Sequence, residues 1–341
     1  MTEQVKIVRT DLELECPNLD QALRDTGANL VLLPDNISQA DLMAQTRDAD
    51  LILMCYTPIT AKVIENTKQL KGIVKFGVGI DAIDIDAARA RKIPVVNIPE
   101  YAEQTVAEGA FAMMIALAKK LMPLHTAMQN QGWVWPTARW IGSDIAGKTI
   151  GLVGVGKIGK SMARMAGAGF GAKVLGYNPN MAHAAMQSAG VEKCDDLQEM
   201  LKQCDFVSVH CVLNDSTHHL IGADELACMK PTAILINVSR GAIVDEVALV
   251  QALQNRSIAG AALDVYSLEP LNRKDHPMRA LFDMDNVILS PHLSFYTQEA
   301  MQRLEGETLA RCMEILNGQL ITVKSKDPRL MAQENGVVFE G

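Results

Sequence analysis

Gly154-Val155-Gly156-Lys157-Ile158-Gly159 is the stretch of this chain whose residue types and spacing speak most directly of chemistry. In a strand-to-helix turn Gly154 permits the tight bend, Gly156 lets a pyrophosphate approach the backbone, and Gly159 lets helix pack on strand. A helix opening at Lys157 and Ile158 adds N–H groups and a dipole for phosphates. The same spacing also occurs in ordinary glycine-rich turns. Here an apolar run at 149–155 precedes it and a helical pattern follows to Ala166. A second apolar run at 173–177 then ends at Asn178, which makes dinucleotide binding the stronger reading.

Further reactive side chains follow later apolar runs. His210-Cys211-Val212-Leu213 closes the run at 206–210, and Ser239-Arg240-Gly241 follows 233–238. Asp264 and then Glu269-Pro270 come at the end of 259–265, and Pro291-His292 follow 287–289. Open α/β sheets bind ligands beyond the carboxyl ends of their strands, so these groups share an edge with the glycine turn. Singly, Arg240 reads equally as a surface charge, Glu269 as a helix-start acid and His292 as a satisfied loop histidine. Together at a nucleotide edge they read as a site.

The elements that must position them alternate throughout. Five short apolar runs (5–8, 30–33, 51–54, 72–76, 94–97) are separated by four helical patterns in residues 1–100, predicting a parallel sheet ahead of the glycine turn. One long helical pattern at 101–126 links this to the second region. The segment 129–145 carries all three tryptophans (Trp133, Trp135, Trp140) and reads as an excursion packed on its own subunit or as a subunit interface, so a homodimer is expected. The last helix starts near Thr297 and stops at Gly318. The fold class is therefore α/β with two parallel-sheet domains, a nucleotide-binding domain (103–297) being inserted in a first domain (1–102 and 298–325). Residues 326–341 read as a polar tail.

Composition narrows the function classes. Hydrophobic residues make up 48% and charged residues 21%, and the formal net charge is −8, which gives no electrostatic support to a nucleic-acid or membrane partner. Seven cysteines are scattered without a C-x-x-C pair, which points to reduced thiols, no metal site and a cytoplasmic setting. No apolar stretch is long enough to span a bilayer, and the N-terminus does not read as a signal peptide.

Taken in order, KFGVGIDAIDI (75–85), VVNIPEYAEQTVAE (95–108), GLVGVGKIG (151–159), MKPTAILINVSRGAIVDE (229–246), AALDVYSLEP (261–270) and NVILSPH (286–292) form a specific series. With it the chain resembles the D-isomer-specific 2-hydroxyacid dehydrogenases from about Asp50 to Gly318. The resemblance implies a flavodoxin-like substrate domain with an inserted Rossmann domain, NAD as cofactor with NADP left open, and a small 2-keto or 2-hydroxy acid such as glyoxylate or hydroxypyruvate as substrate. It assigns catalysis to Arg240, Glu269 and His292. His292 would be the proton donor to the carbonyl oxygen, Glu269 would favour and orient its imidazolium, and Arg240 would grip carboxylate and carbonyl oxygens. By the same resemblance the N–H groups of Val78 and Gly79 hold the substrate carboxylate, and Arg240 and His292 complete the substrate site. Cofactor contacts fall to Val106, Gly154, Gly156, Lys157, Ile158, Gly159, Asn178, Cys211, Val212, Thr217, Val238, Ser239, Asp264 and His292. Of these, Asp264 would lie against the nicotinamide carboxamide.

The chain departs from the family pattern in four places. Asn178 stands where NAD-using members carry Asp, and 179–190 offers no Arg or Lys for a 2′-phosphate. Val212-Leu213 replaces Pro-Leu. No cation sits in Met54-Cys55-Tyr56-Thr57 and no long regulatory domain follows residue 318, which weigh against 3-phosphoglycerate. The segment 271–279 is longer than usual. Phosphite oxidation shares the three catalytic residue types, and an NAD-sensing scaffold is an alternative of another class.

Overall fold

The computed structural model describes residues 4–340. The chain divides into two compact units, Met1–Ala102 with Thr297–Gly341 (unit 1) and Glu103–Tyr296 (unit 2). In unit 1 the early apolar runs form β1 (Lys6–Arg9), β2 (Asn29–Leu32), β3 (Leu51–Met54), β4 (Gly72–Lys75) and β5 (Val95–Asn97). Between them lie α1 (Pro17–Asp25), α2 (Gln39–Thr46), α3 (Ala61–Asn66) and α4 (Ile85–Ala90). Side chains set the helix starts: Ser38 accepts the N–H of Asp41 ahead of α2, and Asp84 that of Ala87 ahead of α4. All strand pairs are parallel, in the order β2-β1-β3-β4-β5 found in flavodoxin-like sheets. Every residue of β3 and β4 is buried, as helices on both faces require.

Unit 2 opens with α5 (Glu103–Ala118) and α6 (Leu121–Gln131), where periodicity predicts a single helix. Lys120 breaks it with a left-handed φ of 51°. The Ala118 carbonyl then accepts the N–H of Ser143 at 2.7 Å, so the returning chain satisfies a group the helix would otherwise have to pair. Next come β6 (Thr149–Val153), α7 (Lys157–Arg164), β7 (Lys173–Tyr177), α8 (His183–Ser188), β8 (Glu192–Lys193), α9 (Leu197–Gln203) and β9 (Phe206–Val209). The unit continues through α10 (Ala223–Cys228), β10 (Ile234–Asn237), α11 (Glu246–Gln254), β11 (Gly260–Leu263) and β12 (Val287–Leu289). The seven strands are all parallel in the order β12-β11-β10-β9-β6-β7-β8, which reverses between β9 and β6. That reversal is where a doubly wound sheet opens its ligand crevice.

Alternate strand residues feed two apolar clusters. Ile150, Leu152 and Ile236 pack with Phe111 and Met114 of α5 and Met162 of α7. Val153, Val207 and Leu235 pack with Leu201, Leu226 and Leu249 of α9, α10 and α11.

The chain returns to unit 1 through α12 (Gln298–Leu316), capped by the Thr297 hydroxyl on Ala300 N and ending before Gly318. This helix packs on β3, β4 and α1. Residues 326–341 were expected to form a tail, and the structure corrects this. After β13 (Ile321–Val323), α13 (Pro328–Met331) buries Leu330 completely, and β14 (Val337–Phe339) pairs parallel to β13. The Gln333 amide accepts from Val95 N at 2.7 Å and donates to Val95 O at 2.9 Å, so one side chain pairs the open edge of β5 as a sixth strand would. Among the described residues, no helix is long and apolar enough to cross a membrane.

Candidate active site

The glycine turn after β6 gives each glycine a distinct steric task. Gly154 has φ 93°, and a Cβ there would stand 2.5 Å from Cys211 N, so the turn presses on the loop after β9. A Cβ on Gly159 would meet Gly154 O at 2.4 Å. Gly156 differs, with nothing within 4 Å of its Cβ position. No side chain caps α7, so the N–H groups from Lys157 and Ile158 onward present an open, partly positive helix end. An open glycine face before an uncapped helix suits a pyrophosphate.

Most of the rest of the predicted cofactor set follows the strands at the same edge. Asn178 follows β7, and its carboxamide oxygen accepts the N–H of Asn180 at 3.2 Å. After β9, Thr217 folds the loop by donating to Val212 O at 2.7 Å, leaving Val212 72% exposed. The Ser239 hydroxyl donates to Cys211 O and ties the loops after β9 and β10 together. Burial pushes the Cys211 thiol up to about 11, so it enters this wall as a neutral group. Val238 is buried, and Val106 on α5 packs partly buried against the cluster below it.

The three candidate catalytic residues come together beyond β10, β11 and β12. Gly241 sets the spacing, since a Cβ there would lie 2.0 Å from the carbonyl carbon of Tyr266. Arg240 thus stands against the 266–269 loop, its Nη1 donating to Ser239 O at 2.7 Å. Glu269 accepts Tyr266 N–H on one oxygen and meets His292 Nδ1 with the other, each at 3.0 Å. Burial pushes the Glu269 carboxyl up. The hydrogen bond and charge of His292, the Tyr266 N–H and the Arg240 charge outweigh it and hold the group below its ordinary value.

Within the protein, Asp264 holds the histidine turn in place. It is 2% exposed, and its two oxygens accept the N–H groups of Leu293 and Ser294 at 2.9 and 3.0 Å. These bonds fasten the turn in which His292 takes a left-handed φ of 60°, a conformation that needs such support.

A family pattern decides what this edge is: the D-isomer specific 2-hydroxyacid dehydrogenase NAD binding domain matches residues 111–294. The chain belongs to that family. Over 318 residues it is 39% identical to a D-3-phosphoglycerate dehydrogenase of Methanocaldococcus jannaschii, covering 93% of this chain and 58% of that one. A glyoxylate reductase of Thermococcus litoralis is 38% identical over 285 residues, covering 82% and 84%. The chain thus spans little more than half of the first relative and most of the second. A solved D-lactate dehydrogenase of Aquifex aeolicus, complexed with NAD and lactic acid, superposes with a TM-score of 0.81 at 29% identity, over 92% and 96% of the two chains. The chain is accordingly an NAD(P)-binding member of an oxidoreductase family, with the two-sheet fold of its relatives.

Sequence reasoning missed the residues that hold the dehydrogenase-family set in place. Asn237 is 1% exposed and brackets the arginine turn, donating to Arg240 O at 2.9 Å and accepting from Ser239 N at 3.1 Å. Its signal was a polar residue closing the apolar run ILIN. His276, 1% exposed, lies in the long 271–279 segment; its Nε2 is 2.8 Å from Leu268 O and its Nδ1 accepts Met278 N–H at 3.0 Å. That segment therefore pins the residue next to Glu269. In unit 1, Val78 is 48% exposed and Gly79 partly so. The segment Met54–Thr57 has no cation of its own, and β4 brings one to it, with Lys75 Nζ 2.5 Å from Cys55 O.

Proposed function

We propose that this protein is an NAD(P)-dependent D-2-hydroxyacid dehydrogenase that reduces a small 2-keto acid such as glyoxylate or hydroxypyruvate. The observation that carries the reading is Arg240 standing beside the bonded Glu269–His292 pair at the carboxyl edge of the NAD-binding unit. Bound NAD(P)H supplies the hydride that reduces C2. His292 has Nδ1 committed to Glu269, so Nε2 is the nitrogen that gives its proton to the carbonyl oxygen and takes it back in the reverse direction. Glu269, held ionised, steadies the imidazolium before transfer. Arg240 meets the substrate's adjacent oxygens with a planar fork, orienting the acid and polarising the carbonyl.

Asn178 supports NAD with NADP also accepted. Its carboxamide oxygen is engaged by Asn180 N, which leaves the NH2 group as donor to a ribose hydroxyl, and no carboxylate at this position repels a 2′-phosphate. A phosphorylated keto acid is the second reading, favoured by the Lys75 cation under Cys55 and by the phosphoglycerate dehydrogenase relative. For quaternary structure the reading is a homodimer. Trp133 and Trp135, 71% and 75% exposed, project from the same unit as a groove of about 700 Å³ whose lining includes Met122, Trp140 and Ile288. A knob and a hole on one unit suit a two-fold pairing. Sedimentation should give a dimer, and Trp133→Asp with Trp135→Asp a monomer; a monomeric parent would end that part of the reading.

The deciding experiment follows reduced-nicotinamide absorbance with NADH or NADPH and a panel of 2-keto acids, including phosphohydroxypyruvate. Glyoxylate- or hydroxypyruvate-dependent oxidation that His292→Ala lowers by about 100-fold or more is the expected result. Tight NADH binding without turnover of any keto acid would point instead to a nucleotide-sensing scaffold.

A further inference from the structure

The carboxyl edge of the unit 1 sheet holds two buried charges that the proposed reduction of a small keto acid has not used. Asp11, just beyond β1, is 2% exposed and has φ 60°. Its carboxylate accepts the N–H groups of Cys55, Tyr56 and Thr57 at 2.9, 3.0 and 3.0 Å, the Thr57 hydroxyl at 2.8 Å and the Thr10 hydroxyl. Lys75, the last residue of β4, is 7% exposed. Its ammonium donates to Cys55 O at 2.5 Å and Phe76 O at 3.1 Å, and lies 5.5 Å from the centre of the Tyr56 ring. The segment after β3 is thus clamped by its N–H groups on one side and by a carbonyl on the other.

The two charges differ in what they leave over. Asp11 is saturated by N–H and O–H donors. The partners of Lys75 are carbonyl oxygens, a thiol and an aromatic face, and no carboxylate among the described residues pairs with it. Hydrogen bonds leave both charges in place, and Asp11 and Lys75 act with opposite sign on the Cys55 thiol between them; at Gly77 the ammonium is the nearer of the two, and burial shields its field from salt.

The field falls on one turn. A Cβ on Gly77 would lie 3.5 Å from Lys75 Nζ, placing the ammonium beside the first residue of the Gly77-Val78-Gly79 turn. The carbonyls of that turn are held back: Gly77 O accepts Ile98 N–H at 2.9 Å and Val78 O accepts from Asn97 Nδ2 at 2.6 Å. In a planar trans peptide the N–H points opposite to the C=O. The N–H groups of Val78 and Gly79 therefore face away from these partners, and among the described residues neither has an acceptor.

We propose that Lys75 is a positioning residue of the substrate site, whose buried ammonium braces the Gly77–Gly79 turn and gives it the positive potential that retains a substrate carboxylate. The inference rests on the 2-keto acid reading and deepens it by assigning a charge in unit 1 to acid recognition. It is tested by calorimetric titration of oxamate, a 2-keto acid mimic, into enzyme saturated with NADH, with neutral oxamide as the uncharged comparison. Lys75→Met should weaken oxamate at least about 10-fold, leave NADH affinity within about two-fold, and leave oxamide binding as in the parent. Lys75→Gln, which keeps a donor for the two carbonyls without the charge, should lose as much, and it carries the test if the methionine variant does not fold. Equal oxamate affinity in parent and variants, or parallel loss of oxamate and oxamide, would overturn the proposal. In the first case the parent still turns over glyoxylate, so only the role of Lys75 falls. A parent that neither binds oxamate nor reduces a keto acid would remove both readings.

Discussion

In the proposed reaction His292 and Glu269 work as a pair because the environment of the carboxylate is balanced toward charge. Burial alone would raise Glu269, yet the imidazole, the Tyr266 N–H and Arg240 bring it below its ordinary value. The electrostatic stabilisation it lends the fold is therefore present above the ordinary carboxylate range and lost as pH falls through its own lowered value. At neutral pH the carboxylate is ionised and ready to hold an imidazolium. Glu269→Gln keeps the shape and a hydrogen bond but removes the charge. Reduction should slow by roughly 10- to 100-fold, and the pH above which it declines should move downward, as a pH–rate profile of kcat/KM would show. An unchanged profile would separate the glutamate from proton transfer. The candidate residues were legible as one edge because each follows an apolar run: Arg240 after ILIN, Glu269 and His292 after the last two strands. Asn237, His276 and Asp11 were not. Each acts on backbone N–H or C=O groups, near in sequence for Asn237 and His276 and more than 40 residues away for Asp11, and a polar side chain does not announce which backbone group it will meet.

At the scale of elements, hydrophobic periodicity located nearly every strand and helix of both sheets, since a parallel strand buried on both faces must be an apolar run. It failed where polar groups did the work. The two-residue strand Glu192–Lys193 has no apolar signature. The break between α5 and α6 depends on a carbonyl captured by a returning loop. The C-terminal segment reads as polar because its anchors are a single leucine and an amide. Gln333 makes that anchoring testable. Its substitution by Leu removes the partner of both Val95 backbone groups at a buried edge, and leaving them unmet should destabilise the protein by about 2–4 kcal/mol. A urea-unfolding midpoint unchanged from the parent would show that this segment does not support the sheet.

Across the whole molecule, the alternation of runs gave the order of architecture, a sheet domain interrupted by a second, while charge placement inside it stayed hidden. His210, beneath the glycine turn, is one such group. Its Nδ1 is buried without a partner among the described residues, Nε2 lies 2.9 Å from the Ser208 hydroxyl, and burial pushes its pKa from 6.5 to about 4. Unfolding restores the ordinary value, so between pH 6.5 and 4 the unfolded chain binds the extra proton and stability falls as pH is lowered, by on the order of 3 kcal/mol at the acid end. Urea midpoints from pH 7 to 4 should show this slope in the parent and a flatter one in His210→Asn. The interruption itself bears on how the chain is made. Leu19 N–H donates to Glu305, 286 residues further on, and α12 packs on strands β3 and β4. A ribosome delivers the first strands long before the helix that covers them, whereas residues 103–296 emerge as one uninterrupted piece that can close on itself. During synthesis the nucleotide-binding unit is thus expected to close first, while the opening hundred residues wait for α12 to cover β3 and β4.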